Sequence, residues 1–175
     1  IYHDGTNSII NDLYIGDLLL KSSSNTKLTV GDVLTANTDL VVEGSLKIAD
    51  VIEDVDLEAT QSGTLNVDVK TNSVVYLFNA QTANRTINIR GNATDSINSM
   101  LSSGESVTCA ILMTNGPTPF YFSTVQVDGN AVTPKWSGGN APSSGNASSI
   151  DTYTFTVIKT ASNTYTVLAS QSQYA

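Results

Sequence analysis

Strict alternation between threonines and large apolar residues near the C terminus most constrains the fold of this chain. In the run Thr152-Tyr-Thr-Phe-Thr-Val, a β-strand would place Tyr153 and Phe155 on one face and the threonines on the other. A second alternating run begins at Thr164, and Ala161-Ser-Asn163 between the two has the length of a hairpin loop. The pattern predicts a C-terminal β-hairpin with one face against a core.

Further apolar runs in the C-terminal part have the length and composition of strands. The strands predicted within residues 71–175 are Ser73–Asn79, Arg85–Gly91, Ser106–Thr114, Phe120–Val127, Thr152–Thr160 and Thr164–Ser170. A helix is predicted at Asp95–Ser103, with Asp95 as its N-cap and Gly104 as its end. The Gly-, Ser- and Asn-rich segment Ser137–Ser149 is predicted to be a surface loop. We therefore expect an all-β module over residues 71–175, a β-sandwich or a jelly-roll-like fold.

The first 70 residues are predicted to form a region of a different kind. Very short apolar clusters such as Leu18-Leu-Leu, Leu28-Thr-Val and Leu40-Val-Val recur there, separated mostly by Gly, Asp or Asn. Strands this short bury few side chains, so they are stable only when equivalent faces stack, along a solenoid or between identical chains. The spacing is too irregular for a strict repeat. We expect residues 1–70 to be a shaft-like region, intertwined or solenoid-like.

The distribution of charge also favours a boundary near residue 70. The chain holds 16 acidic and 8 basic residues, for a net charge of −8. Twelve of the acids and four lysines lie in residues 1–70, whereas residues 71–175 hold four of each sign. An acidic chain without a basic patch is repelled by phosphates, so we expect no nucleic acid partner. We also expect no membrane insertion, since no apolar run approaches the length needed.

The inventory of reactive residues disfavours catalysis and metal binding. His3 is the only histidine and Cys109 the only cysteine, so we expect neither a Ser-His-Asp or Cys-His site within one chain nor a zinc ligand set. Most of the few acids in residues 71–175 fit structural positions, which leaves no glycosidase pair. The acidic run Asp54–Glu58 is interpreted as a solvated strand face and not as a calcium site. We expect no enzyme, no metal site and no cofactor.

Four motifs in the C-terminal part carry a resemblance to a known family. They are the Asp128-Gly129 turn, Trp136-Ser-Gly-Gly, the run Gly145-Asn-Ala-Ser-Ser-Ile-Asp-Thr-Tyr-Thr-Phe and the terminal Val167-Leu-Ala-Ser-Gln. Residues 71–175 resemble the C-terminal domain of fibre and appendage proteins of tailed phages, especially phages of marine bacteria and cyanobacteria. The resemblance implies a structural protein on the surface of a virion, a homotrimer that meets other virion proteins through a part preceding Ile1.

Glycan binding is a further expectation for such a protein. Sugars bind without catalysis on an aromatic platform flanked by amide and carboxylate groups, and Trp136, Tyr121 and Tyr174 are the candidate platforms. The alternative for Trp136 is burial at the edge of the sheets or against a neighbouring subunit, because tryptophan usually buries most of its area.

Two functions stay open at this point. One is a trimeric fibre or appendage subunit that contributes to attachment to host-surface glycans. The other is an extracellular bacterial adhesin or filament subunit that binds glycans or assembles by strand addition.

Overall fold

The computed structural model describes residues 46–174, together with Tyr2–His3 (β1) and Ser8–Ile9 (β2). The chain divides into two compact units, Ile1–Ile48 and Ala49–Ala175. In the first unit β1 and β2 form a two-stranded antiparallel sheet. Most of the predicted shaft lies outside the described residues.

The second unit is mostly β, which confirms the predicted all-β class. Its strands are β3 (Val55–Glu58), β4 (Thr64–Asp68), β5 (Val74–Leu77), β6 (Arg85–Arg90), β7 (Ser106–Thr114), β8 (Phe122–Val127), β9 (Asn130–Val132), β10 (Lys135–Trp136), β11 (Ile150–Ala161) and β12 (Thr164–Tyr174). One short α-helix among the described residues, α1, spans Ile97–Met100, and a 3-10 turn spans Ser137–Gly139. The strands form a six-stranded sheet in the order β10-β12-β11-β7-β5-β3 and a four-stranded sheet in the order β4-β6-β8-β9.

From β3 to β8 the chain alternates between the two sheets. Strands β3, β5 and β7 run parallel in the larger sheet, and β4, β6 and β8 run parallel in the smaller one. The chain therefore forms three stacked coils, each with one strand in each sheet: β3–β4, β5–β6 and β7–β8. On one side of the stack β11 and β9 add antiparallel strands. On the other side β3 and β4 are edge strands, and no described strand pairs with their outer edges. We call this side the open end.

The three strands of the smaller sheet that belong to the coils share one sequence pattern. The pattern appears as Thr64-Leu-Asn-Val, Thr86-Ile-Asn-Ile and Thr124-Val-Gln-Val. The register places threonine beside threonine, aliphatic beside aliphatic and amide beside amide. Asn88 Nδ2 donates to Asn66 Oδ1 at 2.9 Å, the start of an amide ladder of the kind that stacked parallel strands favour. The sequence analysis did not predict this repeat, because the insertion between β6 and β7 makes the spacing of the three patterns uneven.

The inward faces of the two sheets share one hydrophobic core. Its buried aliphatic residues include Leu65, Val67, Val75, Leu77, Ile87, Ile89, Ile111, Met113, Val125, Val127, Val157 and Val167. Tyr153 and Phe155 are fully buried beside them, as the alternation predicted, and the Phe122 ring meets Tyr153 edge-on at 4.9 Å. Burial also raises the pKa of the Cys109 thiol to about 12, so this cysteine acts as a small apolar side chain.

The helix is shorter than predicted, and its N-cap is Ser96 instead of Asp95. Ser96 Oγ accepts the Ser99 N–H at 3.0 Å, and Ser99 returns a bond to Ser96 in a capping box. The Asp95 N–H instead donates to the Asn92 side chain, which closes a tight turn one residue before the cap. The Asp95 carboxylate pairs with Lys70 Nζ at 2.8 Å. A local turn thus displaced the predicted cap by one residue.

Two residues from other elements fix α1 at its two ends. The Asp128 carboxylate accepts the N–H groups of Ile97 at 2.7 Å and Asn98 at 3.1 Å. Lys159 Nζ donates to the carbonyl oxygens of Asn98 and Leu101 at 2.6 and 2.7 Å. An acid at the N terminus and a base at the C terminus complement the dipole of the helix. Contacts from β11 and the β8–β9 turn therefore stabilise a helix too short to be stable alone.

The second unit begins before the predicted boundary. Its coils start at β3 and β4, which pair with β5 and β6, so the boundary expected near residue 70 falls inside the unit that begins at Ala49. The acids that suggested that boundary continue into the edge strand β3 and the residues just before it.

Candidate functional site

Trp136 lies at the edge of the larger sheet. Strand β10 pairs in parallel with Leu168–Ala169 of β12. The indole meets the ring of buried Phe155 edge-on, with centroids 5.9 Å apart, and the residue is half-buried against the core. One part of Trp136 thus packs against the core, as the alternative to a glycan platform expected. The other part is open to solvent.

A shallow cleft of about 410 Å³ runs along the exposed side of Trp136. Its polar lining residues are Lys135, Ser137, Thr154, Thr156 and Ser170. Neither a carboxylate nor an amide side chain lines it. The cleft therefore offers an aromatic edge, one ammonium and hydroxyl groups, but not the amide and carboxylate partners expected beside a sugar platform.

The other two aromatic candidates do not join Trp136. Tyr121 is half-buried against the core, and its N–H donates to Asn84 Oδ1 at 3.1 Å. Tyr174 is 59% exposed at the end of β12, roughly 17 Å along the strand from Ala169, the residue beside Trp136. Neither tyrosine lines the Trp136 cleft. The structure does not assemble the three candidates into one site.

A buried polar cluster around Asp151 was not predicted. Asp151 is fully buried, and its Oδ2 accepts bonds from Asn115 Nδ2 at 3.1 Å, the Asn146 N–H at 2.9 Å and Gln171 Nε2 at 3.3 Å. No partner among the described residues reaches Oδ1. Burial is the main cause that raises the pKa of this carboxyl group, and the three donors oppose the shift. A buried acid with a raised pKa is a common mark of an active site.

The surroundings of Asp151 show a structural role instead. Gly145 packs so closely that an added Cβ would lie 2.8 Å from Asp151 Oδ2 and would overlap the carbonyl oxygen of Phe120. Asn115 bonds the same turn, since its Nδ2 donates to the Phe120 carbonyl and its Oδ1 accepts the Phe120 N–H. The cluster therefore joins the Gly145 loop, the β7–β8 connection and β11–β12. The sequence held a signal that could have identified this cluster, because Asp151 was the one acid of residues 71–175 to which the sequence analysis assigned no structural position.

Arg85 forms a second buried polar cluster. It is 1% exposed, and its Nη1 donates to the Thr60 carbonyl at 2.8 Å and to Gln81 Oε1 at 3.0 Å. Its Nη2 donates to Thr60 Oγ1, and its Nε to the Gly63 carbonyl. Burial lowers the pKa of Arg85, and the charge of Glu58 opposes that shift. Because these bonds connect the first coil to the second, Arg85 positions the crossover segments of the stack.

The open end carries a polar cleft of about 350 Å³. Asp56, Glu58, Asn66 and Asp68 line it, together with Arg90, whose Nε donates to Asp68 Oδ1 at 2.6 Å. The Thr60 N–H donates to Glu58 Oε1 and is the main cause that lowers the pKa of this acid. Arg90 balances Asp68, so the cleft keeps an excess of negative charge.

The register shows which way the side chains of β3 point. Asp56 and Glu58 stand beside buried Val75 and Leu77, hence on the inward face, whereas Val55 and Leu57 face outward. The acids and the apolar residues thus lie on opposite faces, as predicted. Leu57 is 65% exposed. An edge strand with inward charges and an outward apolar face is protected from indiscriminate edge pairing and still offers apolar area to a partner.

Comparisons with protein-family models, with curated proteins and with solved structures find no match for this chain. In the described part of the chain, no three His, Cys, Asp or Glu side chains gather closely enough to hold a metal ion. No helix in that part is long and apolar enough to cross a membrane. The functional conclusion therefore rests on the geometry of the molecule and on the resemblance described above.

Proposed function

We propose that this chain is a structural protein of a tailed phage, a homotrimeric fibre or appendage subunit. In this proposal residues 49–175 form a sandwich-like or jelly-roll-like knob, and the preceding residues form an intertwined shaft. The observation that carries it is the open end, where β3 and β4 are edge strands, Leu57 of β3 is 65% exposed, and Val51 and Ile52 just before β3 are 67% and 94% exposed. Exposed apolar side chains beside unpaired strand edges are typical of an assembly surface.

The positions of the motifs that carry the resemblance support this proposal. Asp128 and Gly129 form a two-residue turn with φ angles of 51° and 77°, which suits a hairpin with both residues left-handed. Trp136 packs at the edge of the core, and the run from Gly145 supplies Gly145, Asn146 and Asp151 to the Asp151 cluster. These residues serve folding and not chemistry, as expected for a family defined by a structural module. We propose on the same ground that the protein is not an enzyme and needs no cofactor.

The mass of the assembly in solution tests the proposal. We expect the purified chain to be a trimer of fixed mass by light scattering, and the fragment Ala49–Ala175 to be a monomer or a weaker oligomer at the same concentration. Circular dichroism of the fragment serves as the control that its β structure is retained. A full chain that is a monomer would contradict the proposal.

The alternative function is an extracellular adhesin or filament subunit that assembles by strand addition. The observation that favours it is the same pair of unpaired edges, β3 and β4, since an edge accepts a strand from any neighbour. Heterologous contacts that do not close produce open polymers, whereas a closed trimer has a fixed mass. Growth without limit in the light-scattering experiment would therefore favour the filament.

A further inference from the structure

The segment Leu46–Ile48 has the sequence of one more strand of the stack. Leu46-Lys-Ile repeats the aliphatic–polar–aliphatic order of Leu65-Asn-Val in β4 and of Ile87-Asn-Ile in β6. In β4 and β6 the aliphatic members are buried, at 3% exposure or less. Leu46 and Ile48 are instead 60% and 54% exposed. The segment thus has the sequence pattern of the coil strands, but its two aliphatic side chains are not buried as those of β4 and β6 are.

Two contacts hold the chain just before β3 beside the residues that precede β5. Asn72 Nδ2 donates to the Asp54 carbonyl at 3.2 Å, and Ser73 Oγ bonds the Glu53 carboxylate. Glu53 and Asp54 thus extend the parallel pairing of β3 with β5 by two residues. The outer edge of β4 is left without a partner among the described strands.

The negative charge of the cleft beside β4 favours a segment that carries a basic residue. The cleft beside β4 carries Asp56, Glu58 and Asp68 with Arg90 as its one base, so two open ends placed face to face would repel each other. Lys47 is the only base between residues 46 and 58, and it occupies the middle position of the pattern. In register with Asn66, a lysine there would face the acids of the cleft.

We propose that Leu46–Ile48 of a second copy of this chain pairs in parallel with β4 at the open end. Leu46 lies beside Leu65, Lys47 beside Asn66 and Ile48 beside Val67, which continues the register of the three coils. The inference rests on the proposed self-assembling function and adds to it the surface and the strand through which copies meet. Both aliphatic residues then extend the core, and Lys47 offsets the negative charge of the cleft.

Cysteine pairs test this register directly. Adjacent parallel strands lie about 4.8 Å apart, within the Cα separation that a disulfide spans. A Lys47→Cys chain is produced together with a tagged, longer Asn66→Cys chain, so that a mixed product has its own mass. The control pairs Lys47→Cys with Gln126→Cys, which the proposed register places about 14 Å apart. Native Cys109 is buried and stays in both.

After mild oxidation, we expect most of the Lys47→Cys chains to be joined to Asn66→Cys chains by the mixed disulfide. In the control, we expect no mixed disulfide between Lys47→Cys and Gln126→Cys chains. Absence of the mixed disulfide, or equal amounts with both partners, would overturn the proposal. Light scattering of the unmodified chain separates the two failures. A trimer without the mixed disulfide contradicts only the β4 contact, whereas a monomer contradicts the proposed function as well.

Discussion

At the scale of single residues, the most constrained ionisable group of the module is the carboxyl group of Asp151. Three donors converge on one of its oxygens, and the other oxygen is buried without a partner. Because the effect of burial exceeds that of the three donors, the folded chain favours the protonated acid more than the unfolded chain does. This raised pKa makes the stability of the module depend on pH.

We expect Asp151→Asn to remove that dependence. Because the folded pKa lies above the ordinary value of 3.8, the folded state binds more protons, and stability falls as pH rises from that value through the folded pKa. Asparagine does not titrate, and its Oδ1 still accepts the three donors. Thermal unfolding between about pH 4 and pH 8 should show a flatter Tm profile for the variant.

The comparison variant is Asp151→Ala, which leaves the three donors without their acceptor. It should lower the free energy of unfolding by about 1–3 kcal/mol at every pH in that range. Parallel Tm profiles for the wild-type chain and Asp151→Asn would contradict the role assigned to the carboxyl group.

At the scale of elements, each strand depends on pairing with strands distant in sequence. The alternation at residues 152–159 and the composition of Ser106–Thr114 were sufficient to predict strands, since inward and outward residues alternate locally. The parallel pairing of β4, β6 and β8 was not predicted, because the insertion that contains α1 separates the repeated patterns. The Asp151 cluster was missed for a related reason: Asn115, Asn146 and Gln171 meet only after folding.

The amide ladder provides a prediction at this scale. Asn88→Ala should lower the free energy of unfolding in urea by about 1–3 kcal/mol, because it leaves the Gly129 N–H without the Asn88 Oδ1 acceptor at 2.8 Å. It also removes the donor to Asn66 Oδ1. Asn66→Ala is the matched variant, and it should cost less because Asn66 is exposed and accepts a single ladder bond. An equal loss for the two variants would contradict a ladder anchored at Asn88.

At the scale of the whole molecule, the two sides of the module differ. Beyond β7 and β8 the sheets are extended by further strands and end at the short edge strands β10 and β9, whereas the open end presents β3 and β4. The Trp136 cleft lies beside β10 and β12, at the opposite edge of the larger sheet from the open end. If Trp136 is the glycan platform expected from the sequence, attachment and assembly use different regions of the module.

Mutation of the cleft should therefore separate attachment from assembly. We expect Trp136→Ala to reduce binding to host cells about tenfold, equivalent to the loss of about 1.4 kcal/mol of contact energy. The mass of the assembly should stay unchanged, because the open end is intact. Tyr174→Ala serves as the comparison, since Tyr174 lies outside the cleft. Binding and mass are measured on the same preparations by a cell pull-down and by light scattering. Unchanged binding for Trp136→Ala would remove this cleft as a receptor site.

The position of β11 has a consequence for synthesis on the ribosome. Strand β11 pairs with both β7 and β12, so the larger sheet is incomplete until residues near the C terminus have been made. The hairpin β11–β12 is local in sequence and is expected to form quickly, whereas the parallel coils join distant segments and form slowly. Folding should then proceed from this hairpin back toward β3 and β4. The open end, through which copies meet in the proposal, would thus be completed last.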